Sequence, residues 1–152
     1  MGNLHKAVVV LLFAVLLYIY GMRVAELASM WDPPQLPDRI PESAIHVYQD
    51  RVEIEGTYLL ARYKDTNSML PVLDYGSNGL MVPLTDDIEL KVGDIVSYRV
   101  PNVPGIIVHR IIAIEEDDKG TYYVLRGDNN PYSDPYKIRR ENIERLTVGI
   151  VW

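Results

Sequence analysis

Residues 7–22, AVVVLLFAVLLYIYGM, carry no charge and are bounded by Lys6 and Arg23. A stretch that is apolar on every side has no polar face to turn to water, which disfavours a helix buried in a soluble domain and predicts one embedded in lipid. It is short for that purpose, since a span takes roughly 20 apolar residues and about 17 at the least. Lys6 and Arg23 can extend their charges to the headgroups, and Tyr18, Tyr20 and Trp31 suit the headgroup boundary. A cleavable secretory leader has the same charged start and apolar middle. Arg23 and Glu26 stand where the small residues of a cleavage site belong, which favours a retained anchor over residues 1–28. Basic residues on the two flanks barely differ in number, so orientation is left open.

Residues 29–44 hold Pro33, Pro34, Pro37 and Pro41, a density that forbids a helix and predicts an extended, semi-rigid spacer. From residue 45 to 152 the pattern changes to short β-branched and aromatic runs. These are HVYQDRVEIEG and TYLLARYKD joined across Gly56, then GLMVPL, DIVSYRV, IIVHRIIAIEE, TYYVLRG and LTVGIVW. Turn chemistry separates them at 74–79, 92–94, 101–105 and 117–120, and the last joins two alternating strands as a hairpin. Helical periodicity after residue 23 is confined to one turn near Arg140 to Glu144. The domain at 45–152 is therefore expected to be all-β, a curled sheet or partly open barrel, behind one N-terminal transmembrane helix.

Composition narrows the chemistry. The 152 residues are 48% hydrophobic and 24% charged, an ordinary globular balance. A net charge of −6 argues against a nucleic-acid partner reached through bulk charge. There is no cysteine, which excludes a disulfide scaffold, a thiol nucleophile and Cys-ligated zinc. Three histidines (His5, His46 and His109) are too few for a His-rich metal site, and no cofactor is expected. The 11 tyrosines against one phenylalanine point to half-exposed aromatic surface.

A nucleophile, if there is one, must then be a hydroxyl. Ser68 in Asp65-Thr66-Asn67-Ser68-Met69-Leu70-Pro71 is the candidate. It needs a base to take its proton and backbone N–H groups to hold an oxyanion. Pro71 fixes φ and holds Leu70 extended, which predicts Ser68 at a loop-to-strand junction. Taken alone, the motif also reads as a turn serine in a polar loop.

His109 lies in an apolar run, and strand alternation places it on the face of Ile107 and Ile111, with Arg110 on the other. Burial among isoleucines favours the neutral ring, which suits a general base. A buried histidine satisfied by a backbone carbonyl is the competing reading, and Arg110 alone suggests an ion pair. The loop Gly127-Asp128-Asn129-Asn130-Pro131-Tyr132-Ser133-Asp134-Pro135 could supply a carboxylate to the imidazole, or serve only its own Asx-turns. Asp65, Asp74, Asp94 and the 115–118 run read as turn residues or solvated charge.

In order along the chain, Ser68-Met69-Leu70-Pro71, Val92-Gly93-Asp94-Ile95-Val96, Val108-His109-Arg110, Gly127-Asp128-Asn129-Asn130 and Val148-Gly149-Ile150 resemble the successive boxes of type I signal peptidases. The resemblance covers roughly residues 60 to 150, and that family too has an N-terminal membrane anchor. Its bacterial branch places a lysine base before the arginine. Here that position is His109, so the chain resembles the archaeal and endoplasmic-reticulum branch.

The resemblance implies Ser68 as nucleophile, His109 as general base, Asp134 as the group orienting the base and Asp128 as a supporting acid. Met69 and Pro71 are implied to lie at the substrate. The implied fold is an all-β catalytic domain that binds the cleaved segment as an added strand. The implied partners are the signal-peptide segment of a preprotein and the lipid bilayer. The catalytic domain would lie on the extracytoplasmic side of the cell membrane, with the spacer holding Ser68 at its surface.

Two departures stand out. Asp74-Tyr75-Gly76-Ser77-Asn78 occupies the stretch where the family places Gly-Asp, so the side chain that assists the oxyanion is expected to differ. The sequence has no carboxy-terminal apolar segment, so partners that dock through one are not implied. A histidine base predicts activity that falls on acidification, as imidazole takes up a proton. Two other readings compete. One is a membrane-tethered β-domain that binds extended peptides without catalysis, and the altered 75–78 stretch is its support. The other is a self-cleaving repressor-type protease of the related Ser–Lys fold, whose lysine is missing here.

Overall fold

The structure is a computed structural model in which residues 11, 13–22 and 37–152 are described. The chain divides into two units, Met1–Pro34 and Gln35–Trp152. In the first, residues 13–22 are helical. Among the described residues no helix is long and apolar enough to cross a membrane. The expected anchor at 1–28 and spacer at 29–44 both fall partly outside the described residues.

The described residues of the second unit contain eight strands. They are β1 (Ile45–Val47), β2 (Val52–Ile54), β3 (Leu59–Arg62), β4 (Asn78–Pro83), β5 (Ile95–Tyr98), β6 (Ile107–Asp117), β7 (Gly120–Arg126) and β8 (Ile143–Val151). Single 3-10 turns at Glu42–Ala44 and Arg140–Asn142 precede β1 and β8, the latter where the sequence predicts its one helical turn. Strands β1 and β2 form their own two-stranded sheet. The other six run antiparallel in the order β3-β4-β8-β5-β6-β7, with β3 and β7 at the edges, so the sheet does not close into a barrel.

The run at 46–56, expected as one strand, is folded back on itself. Tyr48 donates its backbone N–H to the Arg51 carbonyl at 2.8 Å, and the Arg51 guanidinium lies 4.2 Å from the Tyr48 ring centroid. This turn uses Gln49 and Asp50 rather than glycine or proline, so it carries no strong sequence mark. The hairpin after β6 forms where the pattern places it, with Asp117 opposite Gly120 and Lys119 N–H bonded to the Asp117 side chain. Gly120 there has φ +97°, a conformation open to glycine and disfavoured for a Cβ-bearing residue.

Strand β5 lies between β8 and β6 and is buried on both faces. On one side Val96 and Tyr98 join Ile111, Leu125, Ile138 and Leu146 in the main core. On the other, Ile95 packs with Met69 and Leu73 under the 68–73 loop. Each fully buried aliphatic side chain of this kind contributes roughly 1.5–3 kcal/mol. The end of the expected spacer is packed on the domain. Arg39 donates from Nε to Asp94 Oδ1 at 3.0 Å and forms an ion pair with the same carboxylate, which is 3% exposed. Asp94, expected as a turn residue, thus fastens the entering chain. A buried carboxylate is stable only when paired in this way.

Candidate active site

Strand β7 pairs with β6 only from Arg110 onward, where Arg110 is opposite Arg126. Residues Ile107 to His109 therefore pair with β5 alone, and the chain leaving β7 fills the space beside them. Its Asp134 backbone N–H is anchored on the Leu125 carbonyl at 2.8 Å. Asp134 Oδ2 then lies 2.7 Å from His109 Nδ1 and accepts the Tyr98 hydroxyl at 2.6 Å. Both ring-bearing side chains are buried, His109 at 7% and Tyr98 at 0% exposure.

Burial, then the bond to Asp134 and its negative charge, push the Tyr98 hydroxyl far above its usual range. Tyr98 consequently stays a donor, and Asp134 is held from two sides. An ionised carboxylate only accepts, so Nδ1 must carry the hydrogen. In the neutral ring this leaves Nε2 as the acceptor, the state a general base needs.

Ser68 is half-buried and follows Asn67, whose φ is 57°. It does not sit at a loop-to-strand junction. Turns continue past Pro71, with Val72 and Leu73 N–H both bonded to the Met69 carbonyl, and β4 begins only at Asn78. A turn stacks Met69 and Leu73 close enough to pack together against Ile95, whereas a strand would set them about 13 Å apart on the same face.

The Ser68 carbonyl accepts the Asn129 backbone N–H at 2.9 Å, and Asn129 Nδ2 donates to the Asn67 carbonyl at 3.1 Å. The 127–134 loop therefore braces both the serine turn and the imidazole. Among the described residues, the backbone N–H groups of Ser68 and Met69 have no hydrogen-bond partner. Ser68 Oγ lies 3.3 Å from Thr66 Oγ1, and no hydrogen bond joins it to His109.

Ser68, Met69 and His109 line one cleft of about 700 Å³, bordered by Tyr63, Val108 and Arg145. Pro71 is exposed and is not among the lining residues. Asp128 is turned to Arg110, which donates to its two oxygens at 2.7 and 2.6 Å and to the Gly93 carbonyl at 2.7 Å. Of the two loop aspartates, Asp134 meets the imidazole and Asp128 ties the loop to β6. In the altered stretch, buried Ser77 accepts the Asp74 N–H and donates to the Asp74 carbonyl at 2.7 Å, so its hydroxyl closes that turn. Among the described residues no group of three or more His, Asp or Glu side chains is placed to hold a metal ion.

Tyr98 is the member of this group that sequence reasoning did not find. Alternation puts it on the face of Val96, and pairing opposite Ile107 brings it two residues from His109. Its link to Asp134 crosses 36 residues and leaves no mark in a local pattern.

Over 64 residues the chain is 36% identical to the "Signal peptidase complex catalytic subunit sec11" of Schizosaccharomyces pombe, covering 40% of this chain and 34% of that protein. Over 84 residues it is 29% identical to "Signal peptidase I W" of Bacillus subtilis, covering 55% of this chain and 44% of that protein. The chain thus spans less than half the length of either relative. No family model and no solved structure matches it. The two relatives bear out the resemblance to type I signal peptidases that the motifs suggest.

Proposed function

We propose that this chain is a membrane-anchored serine endopeptidase that removes signal peptides from preproteins, with histidine rather than lysine as its base. The observation that carries the reading is the His109–Asp134 pair, set in the same cleft as Ser68 and braced with it by one loop. Similarity to two signal peptidases supplies the substrate class.

In this mechanism Ser68 Oγ attacks the scissile carbonyl carbon while His109 Nε2 takes its proton. The Ser68 and Met69 N–H groups hold the oxyanion. Collapse breaks the C–N bond, and the imidazolium returns the proton to the leaving amine. Water, deprotonated by the same ring, then releases the acyl group from Ser68. Asp134 keeps Nε2 facing the serine and stabilises the imidazolium, and Asp128 supports it by fixing the loop through Arg110.

The mechanism requires Ser68 Oγ to leave Thr66 for the imidazole as substrate enters. Such bonds often tighten only in the substrate complex. The cleaved segment would lie in the cleft as an extended strand, with small residues in the shallow pockets next to Ser68. The anchor would confine enzyme and precursor to one membrane and raise their effective concentration.

The Ser68–Thr66 hydrogen bond favours one alternative, a domain that binds extended peptides without cutting them. Full-length protein in detergent, incubated with a model preprotein beside Ser68→Ala and His109→Ala, decides between the two. The peptidase reading expects cleavage by the unaltered protein and losses of 10³-fold or more, on the order of those in serine proteases, in both variants. Cleavage by Ser68→Ala at the unaltered rate overturns it. Failure of Ser68 to react with a serine-directed covalent probe supports the peptide-binding alternative.

A further inference from the structure

We propose that Ser97 and Arg145 form a subsite of the cleft that takes a carboxylate side chain of the bound peptide. The inference rests on the peptide cleft described above and concerns which peptides it prefers. Ser97 lies on the central strand β5 and is 2% exposed. Its Oγ has no hydrogen-bond partner, the one buried side-chain polar atom in that condition among the described residues. A buried hydroxyl is ordinarily satisfied, and an orphan calls for a reason.

Ser97 is among the residues lining the cleft. Strand register places it opposite Arg145 of β8 on one side and Val108 of β6 on the other, so the three share a face. Val108 adjoins His109, which puts this point one residue along β6 from the proposed base.

Arg145 is half-buried, lines the same cleft and has no ion pair among the described residues. Arg62, Lys64 and Arg99 line the cleft too, and no Asp or Glu does. Of these cations Arg99 is occupied, by Glu144. The chain as a whole carries −6, so this basic lining runs against its overall charge. A carboxylate satisfies both orphans together, accepting the Ser97 O–H and the Arg145 N–H groups in charge-assisted bonds. A neutral acceptor satisfies Ser97 and leaves the guanidinium unpaired. A lysine side chain is repelled.

The test uses full-length Ser68→Ala protein in detergent micelles, so that binding is read without turnover. Fluorescein-labelled signal-peptide segments carry Glu, Gln or Lys at each position in turn around the cleavage site, and affinity is read by anisotropy. At one position Glu should bind about fivefold or more tighter than Gln, the scale of one charge-assisted hydrogen bond over a neutral one. Adding Ser97→Ala should cut that preference, and adding Arg145→Glu should turn it towards Lys. Thermal melts of each variant confirm that it is folded.

Equal affinity for Glu and Gln at every position, or a preference unchanged by both substitutions, overturns the subsite. Either result leaves the peptidase reading standing if the unaltered protein cuts these peptides. Selective binding without any cleavage by the unaltered protein supports the subsite and overturns the peptidase reading instead. Absence of peptide binding overturns both.

Discussion

Gly127 offers the sharpest perturbation, because it tests the brace between the 127–134 loop and the serine turn without touching a reacting group. A Cβ built on Gly127 falls 2.5 Å from the Ser68 carbonyl oxygen and 2.8 Å from Asn130 Nδ2. The Asn130 amide is the far end of a side chain and can move aside. The carbonyl belongs to the backbone and is about 0.9 Å inside ordinary van der Waals contact. Relief requires the Ser68–Met69 peptide to turn or the loop to retreat. The first displaces the Met69 N–H proposed for the oxyanion, and the second withdraws the chain segment carrying Asp134. Misplacement of about 1 Å costs on the order of 10²-fold in rate. Overpacking of this kind costs about 1–3 kcal/mol in stability. Gly127→Ala should therefore remain folded, melt a few degrees lower, and lose about 10²-fold in kcat on a preprotein substrate. Ser68 should also react more slowly with a serine-directed probe. A variant with an unchanged probe rate and unchanged kcat would refute the claim that this contact positions the serine.

Asp134→Asn should lower kcat by about 10⁴-fold with little change in fold, the size of the loss when a Ser–His pair is left with the wrong tautomer. Tyr98→Phe removes one hydrogen bond to a charged acceptor and should cost about 1.5–3 kcal/mol in chemical denaturation, with kcat reduced more than KM is raised. Ser97→Ala should be neutral or stabilising in the same assay, because it removes a buried hydroxyl that has no partner. Bonds from Lys137 and Arg139 hold the Asp117 carboxyl well below the usual carboxylate range. A folded-state value lowered in this way gives stability that is present above the unfolded value, near pH 4, and is lost as pH falls below it. Asp117→Asn should flatten that acid limb of the denaturation profile while leaving the profile above pH 5 nearly parallel.

Much of the β-domain is legible in its local pattern. The alternation in Ile106 to Ile112 assigns His109 to the face of Ile111, and Ile111 lies in the main core. The turn at Asp117 to Gly120 is encoded in residues that tolerate tight backbone. Both are statements about neighbours in sequence, where propensity and side-chain period act directly. The break at Gln49-Asp50 and the turns beyond Pro71 are different. Past Pro71 the chain turns because Ile95, distant in sequence, accepts Met69 and Leu73, whereas no residue of β1 or β2 is buried and the 49–50 turn has neither glycine nor proline to mark it.

The sequence by itself determined the supply of chemistry: one hydroxyl motif, one well-placed imidazole, two loop aspartates and no thiol. Its motif order also carried the likeness to signal peptidases. Tertiary structure decided which groups meet. Insertion of β8 between β4 and β5 sets Arg145 opposite Ser97, and the chain leaving β7 sets Asp134, not Asp128, on the ring of His109. Residue type and periodicity act within a few positions. Pairings across tens of residues depend on strand order and on the burial that rewards it, and these exist only in the folded chain.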